Sequence, residues 1–221
     1  MNDLISRVKD ARRALAEAGP TSVRHEGDFE RVALPYEDGN TLRDLLLSER
    51  ARVVIEIGLA YGASALAVAE ALATGGSEGK RHLIVDAFQD RFEEVGWNAL
   101  VGAGLEEMCQ LLRERSQLAL PALVAKGFVA DAAFVDGAHT FHHVFVDLFY
   151  LGDLVRPGGL VILDDCVWPS VATAAHYFET NTGWKREEIG QDTRLRAYRL
   201  PQNWIEQSFE SFRPFGLDAP P

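Results

Sequence analysis

Asp136, Asp164 and Asp165, with His139 three residues past the first of them, carry the densest chemistry in the sequence. Asp136 closes the apolar run "AAFV", and the pair Asp164–Asp165 closes "LVIL". If those runs are neighbouring strands of one sheet, their tips lie about 4.8 Å apart, and Asp136 converges with at least one of the pair. Like charges that close raise one another's pKa unless a cation is present. Carboxylate oxygens from few positions, with coordination sites left over, suit octahedral Mg2+ at about 2.1 Å, or Mn2+. Such a cation would bind a hydroxyl, lower its pKa and orient its oxygen. His139, with an unperturbed pKa of about 6.5, is then the candidate base. The plainer reading makes Asp164 and Asp165 turn residues before Pro169, and Asp136 a helix cap in "DGAHT". A zinc reading uses His139 and His143 as an i, i+4 pair on one helix face, but the sequence supplies no further clear ligand. His142 and His143 otherwise read as solvated or packed helix residues, and Cys166 as a small buried apolar group.

A second constellation lies upstream in "VVIEIGLAYGASALAVAEAL", residues 53–72, where a β-branched run meets Glu56, then Gly58 and Gly62, then an alanine-rich helix. Where a parallel strand gives way to its helix, backbone N–H groups and the helix dipole face the crevice in which ligands bind. Gly58 and Gly62 tolerate positive φ and a close approach. The dinucleotide fingerprint G-x-G-x-x-G is absent, because residue 60 is alanine. Asp86 closes the next run, "HLIVDAF", where a carboxylate can accept two hydrogen bonds from ribose hydroxyls. An adenosine-containing ligand without a pyrophosphate cradle fits better than NAD.

The elements that must position these groups follow from periodicity. Short apolar runs at Arg52–Ile57, His82–Asp86, Gln110–Arg113, Ala132–Asp136 and Leu160–Asp164 alternate with helical stretches, the pattern of a parallel sheet covered on both faces. Phe141, Val144, Phe145, Leu148, Leu151 and Val155 recur at helical spacing, a buried face that Pro157 ends before Gly158 and Gly159 turn the chain. "PSVATAAHYFETNTG" reads as a helix with Ser170 as N-cap and Gly183 near its end. Trp184–Ile189 and Leu195–Leu200 are joined too closely for a crossover and must be antiparallel. The fold class expected is therefore α/β, a doubly wound, mostly parallel seven-stranded sheet closed by an antiparallel C-terminal hairpin.

With 221 residues, 47% of them hydrophobic, the chain is expected to form one domain. Residues 1–35 are read as a helical lid or a subunit contact, the latter in a homodimer; 36–200 as a Rossmann-like core; 201–221 as a loose tail. The net charge of −11 and the lack of a basic stripe argue against nucleic acid as a partner. No stretch approaches the roughly 20 apolar residues of a membrane span, and the N-terminus is a charged amphipathic helix rather than a signal peptide. Two cysteines are too few for a disulfide framework. The expected location is cytoplasmic.

The motifs together resemble a class I S-adenosylmethionine-dependent methyltransferase, and within it the metal-dependent O-methyltransferases typified by catechol O-methyltransferase and methyltransferase family 24. The resemblance rests on "EIGLAYGAS", "ERSQLALPAL", "FVDGAHT" and "RPGGLVILDDCVWP". It implies that Gly58 and Gly62 lie under the methionine part of S-adenosylmethionine, with Glu56 and Ser64 near its amino and carboxylate groups. Asp86 would hold the ribose, Ser116 and Gln117 the adenine, and Phe88 would pack on the adenine face or in the core. Asp136, Asp164 and Asp165 would hold Mg2+ or Mn2+; His139 stands where the catechol group has a lysine. The implied reaction is methyl transfer to a hydroxyl of a small molecule, a phenol, sugar or polyketide. The alternatives are an NAD(P)-linked oxidoreductase on a similar sheet and a non-catalytic S-adenosylmethionine-binding scaffold. Trp168, Tyr36 and Trp97 are candidate walls of the acceptor pocket, or core residues.

Overall fold

The computed structural model describes residues 2–74, 76–190, 193–203 and 209–215. Its seven strands form one sheet in the order β3-β2-β1-β4-β5-β7-β6. They are β1 (Val53–Ile57), β2 (Arg81–Val85), β3 (Cys109–Leu112), β4 (Ala130–Val135), β5 (Val155–Leu163), β6 (Lys185–Glu187) and β7 (Arg196–Arg199). The first five pair in parallel, and β7 runs antiparallel to both β5 and β6. The expected fold class is thus met.

Both faces of the sheet are covered, which is why its strands read as apolar runs rather than as alternating patterns. Val54, Ile84, Ala132, Phe134, Leu160 and Ile162 face one core, with helices α1 (Asn2–Ala18), α3 (Tyr36–Glu49), α4 (Ala63–Ala73) and α5 (Val95–Gly102) on that side. Ile55, Leu83, Ala133, Val135, Val161 and Leu163 face the other, under α6 (Ser116–Ala125), α7 (Phe141–Leu154) and α8 (Pro169–Asn181). Helix α4 is buried nearly all round, because α1 and α3 pack on its outer side. Its alanines let three helices approach closely. Helix α1 joins the core through Val8 and Leu15, and through a buried ion pair from Arg12 to Glu70 of α4. A short helix α2 (Asp28–Val32) leads from it to α3.

Three local expectations need correction. Pro157, Gly158 and Gly159 do not form the turn before β5 but lie inside it, where the β4–β5 register shifts between Ala130 and Ala132. Helix α7 passes straight into the strand at Val155, and the bulge absorbs the glycines. Ser170 is not the N-cap of α8: Trp168 holds that place, and the Ser170 hydroxyl donates to the His139 carbonyl instead. The tail expected to be loose is held where it is described: Asn181 pins Arg213 through both backbone groups, and the Phe215 ring packs edge-on to Tyr177. Residues 204–208 and 216–221 lie outside the described residues.

Candidate active site

The strand order reverses between β1 and β4, and the crevice outside their C-terminal ends is the switch point at which doubly wound sheets bind ligands. A cavity of about 850 Å3 opens there. Its floor is the β1–α4 turn, Gly58 to Ala60; Asp86 and Phe88 beyond β2, Ser116 and Gln117 at the start of α6, and Asp136, His139 and Asp165 close the sides.

The turn needs its glycines for packing as much as for a ligand. Gly58 has φ +95°, and a Cβ there would stand 2.0 Å from the Asp136 carbonyl oxygen. Only glycine allows the tip of β1 to pass so close to the tip of β4. Gly62, at φ +84°, faces the backbone of Gly96 in the same way. Asp86 fastens the turn from β2: its Oδ2 accepts the N–H groups of Leu59 at 2.9 Å and Ala60 at 3.2 Å, and its Oδ1 that of Phe88 at 2.6 Å.

Glu56 and Ser64 lie beneath this floor and do not line the cavity. The Ser64 hydroxyl donates to Glu56 Oε1 at 2.5 Å, tying the two ends of the turn together. Glu56 Oε2 stands 2.6 Å from His82 Nε2, an ion-pair contact off the line of a straight hydrogen bond. Burial opposes charge on His82, but Cys109 and Glu56 outweigh it and raise its pKa to about 9. Sequence reasoning missed His82, since one polar residue in a strand pattern carries no signal of its own.

Around the adenosine side, Phe88 is 38% exposed and lies under the guanidinium of Arg91, 4.3 Å from its ring centre. Ser116 and Gln117 face the cavity at the first turn of α6. Behind Ser116 the α7 residue Asp147 is buried, and that burial pushes its carboxyl up to about 7 against the opposing hydrogen bond from Ser116.

The acidic cluster differs in detail from the expected set. Asp136 Oδ1 and Asp165 Oδ2 lie 3.4 and 3.2 Å from His139 Nε2, and one donor atom from each of the three fits within 4.8 Å of the others. The hydrogen bond to Asp136, opposed by burial and helped by the charges of Asp136, Asp165 and Asp164, raises the His139 pKa. Asp164 turns away. It is 1% exposed, its Oδ1 accepts the Asp165 N–H at 2.7 Å, and its Oδ2 receives Arg194 Nη2 at 2.5 Å. Burial and the Asp136 charge push Asp164 up, to about 6, against the pull of Arg194. His139 precedes α7, which starts at Phe141, so it shares no helix face with His143. The His143 Nδ1 instead pairs with the Thr140 hydroxyl at 2.7 Å. Of the proposed acceptor walls, Trp168 lines the main cavity, Tyr36 lines a smaller one of about 240 Å3, and Trp97 packs on the core. Cys166 is buried, which pushes its thiol up to about 12 and leaves it an apolar filler.

Residues 55–166, from within β1 to just past the two aspartates of β5, match the family model of methyltransferase family 24, described as a methyltransferase domain. The chain belongs to this methyltransferase family. Within the family-24 frame, the match spans the glycine turn, Asp86, Ser116 and the acidic cluster. A "Putative caffeoyl-CoA O-methyltransferase" of Arabidopsis thaliana is 28% identical over 154 residues, which are 70% of this chain and 63% of that protein. The chain thus spans less than two thirds of that relative. Among solved structures, the O-methyltransferase TomG of Streptomyces achromogenes, in complex with SAM, is similar with a TM-score of 0.68, 20% identity and coverage of 88% and 89% of the two chains. An O-methyltransferase of Bacillus cereus, in complex with SAH, gives 0.63, 18%, 88% and 90%. At these identities the structures support the class I methyltransferase fold. Among the described residues, no helix is long and apolar enough to cross a membrane.

Proposed function

We propose that the protein transfers the methyl group of S-adenosylmethionine to a hydroxyl of a small molecule. The convergence of Asp136, His139 and Asp165 on the wall of the cavity floored by Gly58 carries this reading. Gly58 to Ala60 would carry the methionine portion, Asp86 the ribose, and Ser116 with Gln117 the adenine edge. Each of these lines the cavity, and its volume of about 850 Å3 supports a ligand of nucleoside size. Glu56 and Ser64 act from below by holding the turn.

His139 is the base. Its Nε2 takes the hydroxyl proton, the oxygen attacks the sulfonium methyl, and sulfur leaves as a neutral thioether. Asp136 and Asp165 stabilise the imidazolium that forms. Because the donor is already activated, holding the oxygen in line with the methyl supplies much of the rate. The two carboxylates also suit a divalent cation: Asp136 and Asp165 bring their oxygens to one place, with cavity left for further ligands. They would hold Mg2+ or Mn2+, both of which take carboxylate oxygens, with His139 beside the ion as the base and not as its ligand. When bound, such an ion would lower the pKa of the acceptor hydroxyl. Asp164, engaged by Arg194, stands outside this set.

The test is a screen of phenolic, sugar and polyketide hydroxyls with labelled methyl donor, run in Mg2+, in Mn2+ and in EDTA. Transfer to at least one acceptor is expected; no transfer to any, by protein that binds S-adenosylhomocysteine, would favour the scaffold reading.

A further inference from the structure

The tip of β5 sends two successive carboxylates to different places, and the backbone between them is unusual. Asp165 has φ +54°, the left-handed region. Aspartate enters that region more readily than most residues with a Cβ, but it is still strained there and is kept in place by its surroundings. The enforcement is visible. Asp164 accepts the Asp165 N–H, and its other oxygen is gripped by Arg194. Arg194 is itself held: Asp38 of α3 accepts the Thr193 hydroxyl at 2.5 Å and the Arg194 N–H at 3.3 Å. A chain of contacts thus runs from Asp38 through Arg194 and Asp164 to the backbone of Asp165, whose side chain ends 3.2 Å from His139.

We propose that Arg194 is a positioning residue: by gripping Asp164 it holds the left-handed turn that delivers the Asp165 carboxylate to His139. This rests on the reading of Asp136, His139 and Asp165 as the catalytic cluster. The rival role for Arg194 is a plain counter-charge, since its Nη1 also lies 3.8 Å from Asp165. The two roles differ in what the turn does when the guanidinium is lost. A plain counter-charge can be removed with the backbone of Asp165 left as it is, because the Asp164 oxygen still accepts the Asp165 N–H. A positioning residue cannot: without its grip Asp164 is free to turn, and the left-handed conformation at Asp165 loses what holds it.

The experiment is a set of crystal structures of the full chain, wild type, Arg194→Gln and Arg194→Lys, grown under one condition. In Arg194→Gln the expected result is that Asp165 leaves the left-handed region and its carboxylate moves out of reach of His139, while the tip of β4 and Asp136 stay in place. Arg194→Lys, which keeps the charge and can still reach Asp164 with one ammonium, should restore the turn in part. Asp38→Asn should loosen it in the same direction by less, and provides the test should Arg194→Gln not fold. Asp165 unchanged in φ and still beside His139 in these variants overturns the proposal. Methyl transfer is not read, so a failure of the proposed reaction would appear separately, as wild-type protein with the turn as described that methylates nothing.

Discussion

At the scale of single residues, the protonation of His139 should govern the reaction, because only the neutral imidazole can accept the hydroxyl proton. Its pKa is raised, chiefly by the hydrogen bond to Asp136, so kcat should climb with pH through a midpoint above the ordinary value of about 6.5. His139→Ala should lower kcat by roughly 10²–10³-fold. Asp136→Asn should move the remaining midpoint downward, as a pH–rate profile would show. A flat profile in wild type would remove His139 as the base. Asp147 supplies a stability counterpart. Its folded-state pKa, raised to about 7 by burial, exceeds the ordinary 3.8. The proton it binds therefore favours the fold below the unfolded value, and that contribution is lost as pH rises through about 7. Asp147→Asn should thus stabilise the protein at pH 8, by about 1–2 kcal/mol, and not at pH 4. Denaturant unfolding at the two pH values checks the sign.

At the scale of elements, the closest tolerance lies where the tip of β1 passes the tip of β4. Gly58→Ala would place a methyl 2.0 Å from the Asp136 carbonyl oxygen in a backbone region that alanine resists. A loss of about 3 kcal/mol or more is expected, read as a lowered unfolding midpoint. Should the variant fold, weakened cofactor binding is expected with it, because the turn and Asp136 would move together. A neutral substitution would show that the turn is looser than its geometry implies. Much of this element was legible in the sequence, since a glycine after a β-branched run and before a long alanine-rich helix marks a strand–turn–helix. What the motif did not reveal was the partner: the glycine accommodates a neighbouring strand, and Glu56 with Ser64 braces the turn from below. Side-chain direction beneath a turn depends on the next strand over, and here on His82.

At the scale of the whole molecule, the cavity at the β1–β4 switch point should couple ligand binding to global stability. S-adenosylhomocysteine at about 100 times its dissociation constant should raise unfolding stability by about 2.7 kcal/mol. NADH should leave the melting temperature unchanged. Stabilisation by NADH alone would restore the oxidoreductase reading. The sequence by itself determined the alternation of strands and helices, the antiparallel closing hairpin and the strand ends on which Asp136 and the two following aspartates stand. These follow from local periodicity, turn chemistry and connection length, all written within a few consecutive residues. Only the tertiary structure decided that Asp165 rather than Asp164 faces His139. The reason is physical: Arg194 follows Asp164 by 30 positions in the chain, and no local pattern shows that its guanidinium will reach one of two adjacent carboxylates. The left-handed turn at Asp165, held by that contact, then points the other into the cavity.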